Sequence, residues 1–196
     1  PKSFSNLIKK MLLKKFKCNF TKLNNSVFNK ICHKYEIILM RFDNVIKYKQ
    51  STKIRFILCP TTATEHIDEQ FFKDKKIKIF TLKNKIKFLQ NIRATIEFTI
   101  FLILFCLRKT KQTLISKSKL SKNITHEEIY KKKFGIIGYG RIGKKVNKIL
   151  TSFDADIKIY EIKKIHKPKS LNFVSLNNLL KTCEIILVHI PLNLHN

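Results

Sequence analysis

Gly135-Ile136-Ile137-Gly138-Tyr139-Gly140-Arg141-Ile142-Gly143 is the stretch that decides the fold of this 196-residue chain. It contains all four glycines of the sequence. Glycine accepts positive φ angles and lets another backbone or a ligand approach where a Cβ would collide. A chain that otherwise avoids glycine has kept it where such an approach is required.

The glycines lie between a predicted strand and a predicted helix. Phe134 and Ile136-Ile137 form a short apolar run that is typical of a buried parallel strand. After the glycines, apolar residues recur at helical spacing and leave three lysines for solvent. The apolar residues are Ile142, Val146, Ile149, Leu150 and Phe153, and the lysines are Lys144, Lys145 and Lys148.

Gly138-x-Gly140-x-x-Gly143 has the spacing of a dinucleotide-binding turn. In such a turn the first glycine bends the chain, the second admits a pyrophosphate and the third lets the helix pack closely on the strand. The helix N-terminus would face the phosphates. A second predicted strand, 157–160, ends at Glu161, eighteen residues after Gly143, near where a carboxylate should bind the adenosine ribose.

Other interpretations of the stretch stay open. The glycines could form an ordinary tight turn beside a solvated Glu161, or the turn could hold another nucleotide-like ligand such as S-adenosylmethionine. Glu161 favours NAD over NADP because a carboxylate repels a 2′-phosphate, although Lys163 or Lys164 could reach such a phosphate.

Roughly residues 35–196 resemble the D-isomer-specific 2-hydroxyacid dehydrogenases, and phosphoglycerate dehydrogenase-like members most of all. The resemblance is carried by the glycine stretch, Glu161, 174–180, 185–192, 61–68, 77–80 and 92–109. It implies an α/β fold with an incomplete, Rossmann-type doubly wound parallel sheet and a partial flavodoxin-like substrate domain. The implied domains are a partial substrate domain at 1–92, an interdomain helix at 93–112 and a partial NAD-binding domain at 113–196.

The resemblance implies NAD as the cofactor. The amides around Arg141 and Ile142 would hold the pyrophosphate, and Glu161 the ribose. The implied cofactor-binding residues are Gly138, Tyr139, Gly140, Arg141, Ile142, Gly143, Glu161, His189, Ile190 and Pro191. We interpret His189 as a structural histidine with satisfied hydrogen bonds, not as a catalytic base, because no partner carboxylate is evident.

Thr62 and Ala63 are implied at the substrate cleft, where Ala63 replaces the family's usual glycine and Phe98 a frequent histidine. Family members transfer hydride with an arginine that holds the substrate carboxylate and a glutamate-paired histidine that moves the hydroxyl proton. All three are expected downstream of Asn196. We therefore expect a fragment of an NAD-dependent dehydrogenase of D-2-hydroxy or 2-oxo acids, inactive alone, whose parent is a homodimer.

The formal charge of +28 supports a rival class, a basic protein that binds nucleic acid or a membrane surface. The lysines are spread along the whole chain, without an arginine cluster or an aromatic RNA-binding signature, so no specific nucleic-acid partner is predicted. Residues 1–17 could form a basic amphipathic helix on a membrane, but an end helix that is poorly ordered or packs on the core is favoured. A decayed coding sequence without a folded product is a third possibility.

Residues 98–107 form an apolar run of about ten residues where a membrane span needs roughly twenty, so a buried helix and no span are predicted. The five cysteines show no C-x-x-C spacing, and no metal site or disulfide framework is predicted. Cys106 and Cys183 are expected to be buried, and Lys131–Lys133 to lie on a solvated turn. A reducing cytoplasm is the expected compartment.

Overall fold

The computed structural model describes residues 5–21, 24–40, 53–62, 67, 69–83, 85–115, 124–163 and 168–191. The chain divides into two compact units, the first reaching Leu89 and the second spanning Gln90–Pro191. The helix predicted to run between domains lies inside the second unit.

The first unit is built on a small parallel sheet. Its helices are α1 (Asn6–Leu13), α2 (Asn25–Ile31), α3 (Glu69–Asp74) and α4 (Ile86–Gln90), which ends at the boundary between the units, and a 3-10 turn occupies Cys32–Lys34. Its strands are β1 (Ile37–Leu39), β2 (Phe56–Cys59) and β3 (Lys78–Thr81), parallel and in sequential order. Phe28, Ile57 and Phe72 form the centre of its core. Residues 77–80, which carry part of the family resemblance and correspond there to a strand of the substrate domain, coincide with β3 to within one residue.

The second unit holds the predicted strand, turn and helix. It contains α5 (Ala94–Leu107), α6 (Thr110–Ile115), β4 (Lys133–Ile137), α7 (Arg141–Thr151), β5 (Asp156–Tyr160), α8 (Leu176–Thr182) and β6 (Ile185–Val188). The three strands are parallel in the order β5-β4-β6. Phe173 adds a single parallel bridge to Ile159 on the far side of β5. Numbered within this unit, β4 is strand 1, β5 is strand 2, the Phe173 segment takes the place of strand 3, and β6 is strand 4. The order across the sheet is therefore 3-2-1-4, as in a doubly wound sheet, and the order reverses at β4.

Strand β4 is buried on all sides, because β5 and β6 flank it in the sheet and helices cover both of its faces. Phe134 and Ile136 are fully buried, as are Val146 and Leu150 of α7. On the opposite face a side chain at position 135 would overlap that of Leu179, so α8 packs directly on the strand. This double burial explains the continuous apolar run of β4.

The apolar stripe predicted after the glycines ends earlier than its periodicity indicates. Helix α7 stops at Thr151, and the chain then turns through Asp154 with φ of 55°. Phe153 lies in that turn and is 44% exposed, so its placement on the buried stripe is wrong. Helical spacing beyond a helix end no longer predicts burial.

Helix α5 is buried on one face only. Ile96, Ile103 and Leu107 face the core of the second unit, whereas Phe98, Phe101 and Cys106 are exposed. The predictions of a buried helix and a buried Cys106 are therefore wrong for this outer face, because an apolar run carries no periodicity that could separate the two faces.

The stretch Ile86–Leu107 is the one described segment long and apolar enough to cross a membrane, by length and composition only. It reaches 22 residues by joining α4 to α5 through the turn at 91–93. Helix α5 alone has 14 residues, about 21 Å at 1.5 Å per residue, against about 30 Å of bilayer hydrocarbon.

Two lysine-rich segments differ from expectation. Helix α1 buries none of its residues, so the prediction that it packs on the core is wrong. Lys132 is not solvated as expected: its Nζ lies 2.5 Å from Glu127 and 2.9 Å from Glu184, and its side chain is 16% exposed. These carboxylates raise the pKa of Lys132 above its ordinary value. The ion pair between Lys132 and Glu184 ties the start of β4 to the start of β6.

Candidate cofactor-binding site

The glycine turn lies at the carboxyl end of β4, where the strand order reverses. Gly138 has φ of 95°, and its N–H donates to the Tyr160 carbonyl of β5 at 2.9 Å. A Cβ at Gly138 would lie 2.8 Å from the His189 carbonyl oxygen after β6. Gly138 is therefore required for two reasons. Its backbone is left-handed, and it lies close to the ends of both β5 and β6.

The two later glycines of the motif have different surroundings. A Cβ on Gly143, in the first turn of α7, would overlap the carbonyl oxygen of Gly138, so helix and turn touch through backbone. Within the part of the chain that the structure describes, a Cβ on Gly140 would meet no atom within 4 Å. Gly143 is needed for packing, whereas the surface in front of Gly140 is open.

Helix α7 presents its N-terminus at this open surface. Gly140 is its N-cap and provides no side-chain cap. The first turn of such a helix carries backbone N–H groups and a partial positive charge that favour an anion. Arg141 and Ile142 begin this turn and are half-buried. The Arg141 guanidinium donates to the Ile92 carbonyl at 3.4 Å.

Glu161 follows β5 and lies against the same turn. One carboxylate oxygen accepts a hydrogen bond from the Tyr139 N–H at 2.7 Å, and the other accepts from the Lys163 N–H at 2.8 Å. These two bonds fix a half-buried carboxylate beside the glycines. Each oxygen keeps a lone pair with which it can accept a hydrogen bond from a ligand hydroxyl.

Tyr139 contributes its backbone, not its ring, to the turn. The side chain is 8% exposed and packs edge-on against Phe173 with 5.3 Å between ring centroids. Its hydroxyl lies 3.5 Å from Asn147 Nδ2, and burial raises the pKa of the phenol. The ring belongs to the core of the second unit.

Residues 189–191 form the opposite side of the candidate site. The His189 N–H donates to the Ile137 carbonyl at 2.8 Å, which holds the segment beside β4. Its Nε2 is buried and has no hydrogen-bond partner among the described residues, and burial lowers the pKa of the imidazole. The interpretation of a fully satisfied histidine is therefore wrong at this atom. Ile190 and Pro191 are exposed.

The substrate-cleft prediction can be followed only in part. Thr62, three residues after the end of β2, is exposed, while Ala63 lies outside the described residues. Thr61, which the sequence did not single out, is buried, and its carbonyl accepts from the Leu82 N–H at 2.9 Å. Within the part of the chain that the structure describes, no group of three or more His, Cys, Asp or Glu could hold a metal ion.

One contact of the site was not predicted. Lys145, expected to be solvated, donates from Nζ to the Gln90 carbonyl at 2.6 Å. Together with Arg141 it ties the first two turns of α7 to 90–92. Desolvation, followed by the charges of Arg93 and Arg141, lowers the pKa of Lys145. Periodicity correctly placed this lysine off the apolar stripe but carried no signal for its partner.

The parallel sheet, its reversal at β4 and the glycine turn define a Rossmann-type nucleotide-binding fold. Residues 100–196 match the model of the D-isomer specific 2-hydroxyacid dehydrogenase, NAD binding domain. Through these residues the chain belongs to the D-isomer specific 2-hydroxyacid dehydrogenase family, as the sequence predicted.

Two individual dehydrogenases are similar to this chain in sequence. D-3-phosphoglycerate dehydrogenase of Haemophilus influenzae is 28% identical over 143 residues, which are 71% of this chain and 34% of that protein. Erythronate-4-phosphate dehydrogenase of Bacteroides thetaiotaomicron is 26% identical over 145 residues, 73% of this chain and 35% of that protein. The chain thus spans about a third of the length of these relatives.

A solved structure supports the fold. D-lactate dehydrogenase from Aquifex aeolicus, complexed with NAD and lactic acid, superposes with a TM-score of 0.77 at 21% identity. The superposition covers 96% of this chain and 58% of that one. At this identity the likeness is one of fold, and the prediction of an α/β fold with parallel sheets is confirmed.

Proposed function

We propose that the second unit binds NAD(H) at the glycine turn and is the cofactor domain of a dehydrogenase. The reaction is hydride transfer between NAD(H) and a D-2-hydroxy acid or its 2-oxo counterpart. A 3-phosphoglycerate-like compound is one candidate substrate, because the Haemophilus influenzae relative is named for it. The matched family supports both the cofactor and the reaction class.

The observation that carries this proposal is the open surface at Gly140. Its φ of −83° is accessible to any residue, and no atom of the described residues lies within 4 Å of a Cβ built there. Neither the backbone φ nor packing among the described residues therefore demands glycine. A pyrophosphate lying against the main chain at the uncapped N-terminus of α7 accounts for it.

In this proposal the amides near Arg141 and Ile142 hold the pyrophosphate. Glu161, fixed by its two backbone hydrogen bonds, accepts hydrogen bonds from the adenosine ribose hydroxyls. His189, Ile190 and Pro191 line the adenosine side. The fixed charge of Glu161 favours NAD, because a 2′-phosphate at that place would meet a carboxylate held in position.

Cofactor binding, and not turnover, is the activity that we propose for this chain alone. Among the described residues no histidine lies within salt-bridge distance of a carboxylate. The proton transfer that accompanies hydride transfer requires such a positioned group. Thr62 and Ala63 remain our candidates for contact with the substrate in the whole enzyme.

The test is NADH binding by the wild-type chain and by Gly140→Leu, measured through the fluorescence of the reduced nicotinamide. The new side chain fills the open surface, so we expect affinity to fall about a hundredfold, the loss of one to two hydrogen bonds to a charged group. Asn177→Leu, an exposed position on α8, is the matched control and should bind like wild type.

Two further measurements test whether Gly140→Leu alters only the cofactor site. The thermal unfolding temperature of Gly140→Leu should lie close to that of wild type, since a Cβ at this position has no described atom within 4 Å. Binding of a polyanion such as heparin at low salt should also be unchanged, because it depends on the overall charge. Equal NADH binding by wild type and Gly140→Leu would reject the glycine turn as the cofactor site.

We also propose that the whole enzyme is a homodimer that uses the exposed face of α5. Phe98 and Phe101 are 59% and 54% exposed, and their rings stack at 6.1 Å. An aromatic patch of this kind is typical of a surface that another protein covers. A reducing cytoplasm is the compartment that we propose, since all five cysteines are free thiols.

A further inference from the structure

Helix α1 is a formed helix whose apolar side chains face solvent. Ser5 caps it by accepting a hydrogen bond from the Ile8 N–H at 3.3 Å. Leu7, Ile8 and Met11 are 68%, 43% and 61% exposed. At 3.6 residues per turn these three side chains lie within about 100° of arc, so they form one apolar stripe.

Two half-buried residues of α1, Lys9 and Leu12, lie near other residues of the first unit. Lys9 lies with its Nζ 6.0 Å from the centre of the Phe20 ring. Leu12 lines an apolar cavity of about 720 Å³ together with Phe20, Ile38 and Leu39. Lys9 and Leu12 are thus half-buried in a helix that buries none of its residues completely, and the stripe lies on an exposed side of that helix.

The charged side chains near this stripe in sequence are all lysines. Nine lysines precede Glu36, which is the first acidic residue of the chain. Lys10 and Lys14 are exposed and lie three and seven residues after Leu7, so they border the stripe along one side. Long lysine side chains there can reach anionic headgroups while the apolar residues enter the boundary of the acyl chains.

From this arrangement we infer that α1 is a membrane-surface helix that docks the chain on an anionic lipid bilayer. The apolar stripe supplies burial, and the surrounding lysines supply charge complementarity to acidic headgroups. A protein partner or a second copy of the chain would need its own acidic, apolar surface, and no acidic residue of this chain lies near α1 in sequence. The helix lies on the bilayer and does not span it.

The test is flotation of the full chain with vesicles of phosphatidylcholine and phosphatidylserine, compared with phosphatidylcholine alone. We expect binding to the anionic vesicles only, weakening as salt is raised. Leu7→Asn with Met11→Asn should bind about tenfold more weakly. Lys10→Gln with Lys14→Gln should lose roughly fivefold per lysine at low salt.

Matched controls separate this helix from the general positive charge. Leu114→Asn removes an apolar side chain that is 77% exposed on α6, and should not alter binding. Lys148→Gln with Lys181→Gln removes the same charge from exposed positions on α7 and α8, and should lose much less than the α1 pair. All variants change exposed side chains, and circular dichroism should verify an unchanged fold.

Three results would overturn the inference. One is full vesicle binding by the Leu7→Asn and Met11→Asn variant, and another is equal loss by the two lysine pairs. The third is a change in sedimentation of the α1 variants in the absence of lipid, which would assign the stripe to contact between copies of the chain. None of these readings depends on cofactor binding.

Discussion

The carboxylate of Glu161 accepts a 2.7 Å hydrogen bond from the backbone N–H of Tyr139, twenty-two residues earlier in the chain. This bond joins the acid after β5 to the middle of the glycine turn after β4. The turn and the acid are therefore linked by a hydrogen bond before any ligand binds. Preorganisation of this kind lowers the entropy that a ligand loses on binding.

The Glu161 substitutions should separate charge from position. Glu161→Gln keeps an oxygen that can accept from the Tyr139 N–H but removes the negative charge. We expect NADH affinity to fall about tenfold, and the preference for NADH over NADPH to shrink by more, because the charge that repels the 2′-phosphate is gone. Fluorescence titrations with both cofactors measure the two effects.

Glu161→Ala provides the comparison. It also leaves the Tyr139 N–H without its partner, so it should bind NADH more weakly than Glu161→Gln and unfold at a lower temperature. If the three proteins discriminate equally between NADH and NADPH, Glu161 does not contact the ribose.

Gly143→Ala should destabilise the second unit without any ligand present. Its Cβ would overlap the Gly138 carbonyl oxygen, and backbone atoms cannot move aside as a side chain tip can. We expect a loss of about 1–3 kcal/mol in the free energy of unfolding, the usual range for overpacking. Urea unfolding of the variant measures it.

Gly140→Ala is the natural control for this change, since both glycines belong to one motif. It should leave the free energy of unfolding within about 1 kcal/mol of wild type, because its Cβ meets open space. A larger loss at Gly140 than at Gly143 would contradict the packing described for the turn.

His189 should make stability depend on pH. Burial lowers its pKa below the ordinary 6.5, so the unfolded chain binds a proton more readily than the folded one. The stabilisation is present above the unfolded pKa and is lost as the pH falls through the lower, folded pKa. The unfolding temperature should therefore drop between about pH 7.5 and about pH 5.5.

The His189→Gln variant isolates this contribution, because glutamine does not titrate. Its unfolding temperature should fall less over the same pH range. His33→Gln, at an exposed position, should retain the wild-type slope. Identical slopes for all three proteins would mean that the imidazole of His189 is equally easy to protonate in both states.

Phe101→Glu should weaken self-association through α5. Phe101 contacts both Phe98 and Phe105, with ring centroids 6.1 and 5.6 Å away, and stands at the centre of the exposed aromatic patch. A charge there would have to be desolvated in a dimer, so we expect the dissociation constant to rise at least about tenfold. Sedimentation equilibrium measures it, with Leu114→Glu on α6 as the control. A monomeric wild-type chain would remove this role from α5.

Much of the second unit could be predicted because its signals are local. The strand before the glycines, the helix after them and the strand ending at Glu161 each occupy a short window with its own periodicity. The first unit gave weaker signals. Strands β1 and β2 have three and four residues. In the second unit, the segment that pairs with the far side of β5 is reduced to one bridge at Phe173. Such short segments bury too few residues to leave a readable pattern.

The sequence by itself determined the order of strand, glycine turn, helix and acid, because few backbone conformations require four glycines in one short stretch. Only the tertiary structure decided which glycine serves packing and which faces open surface, and that Tyr139 turns its ring inward while its N–H holds Glu161. It also decided that His189 buries a nitrogen that has no hydrogen-bond partner among the described residues, and that α1 and α5 expose apolar faces. These properties depend on atoms far apart in the chain that folding brings within a few ångströms, and spacing along the sequence carries no record of such distances.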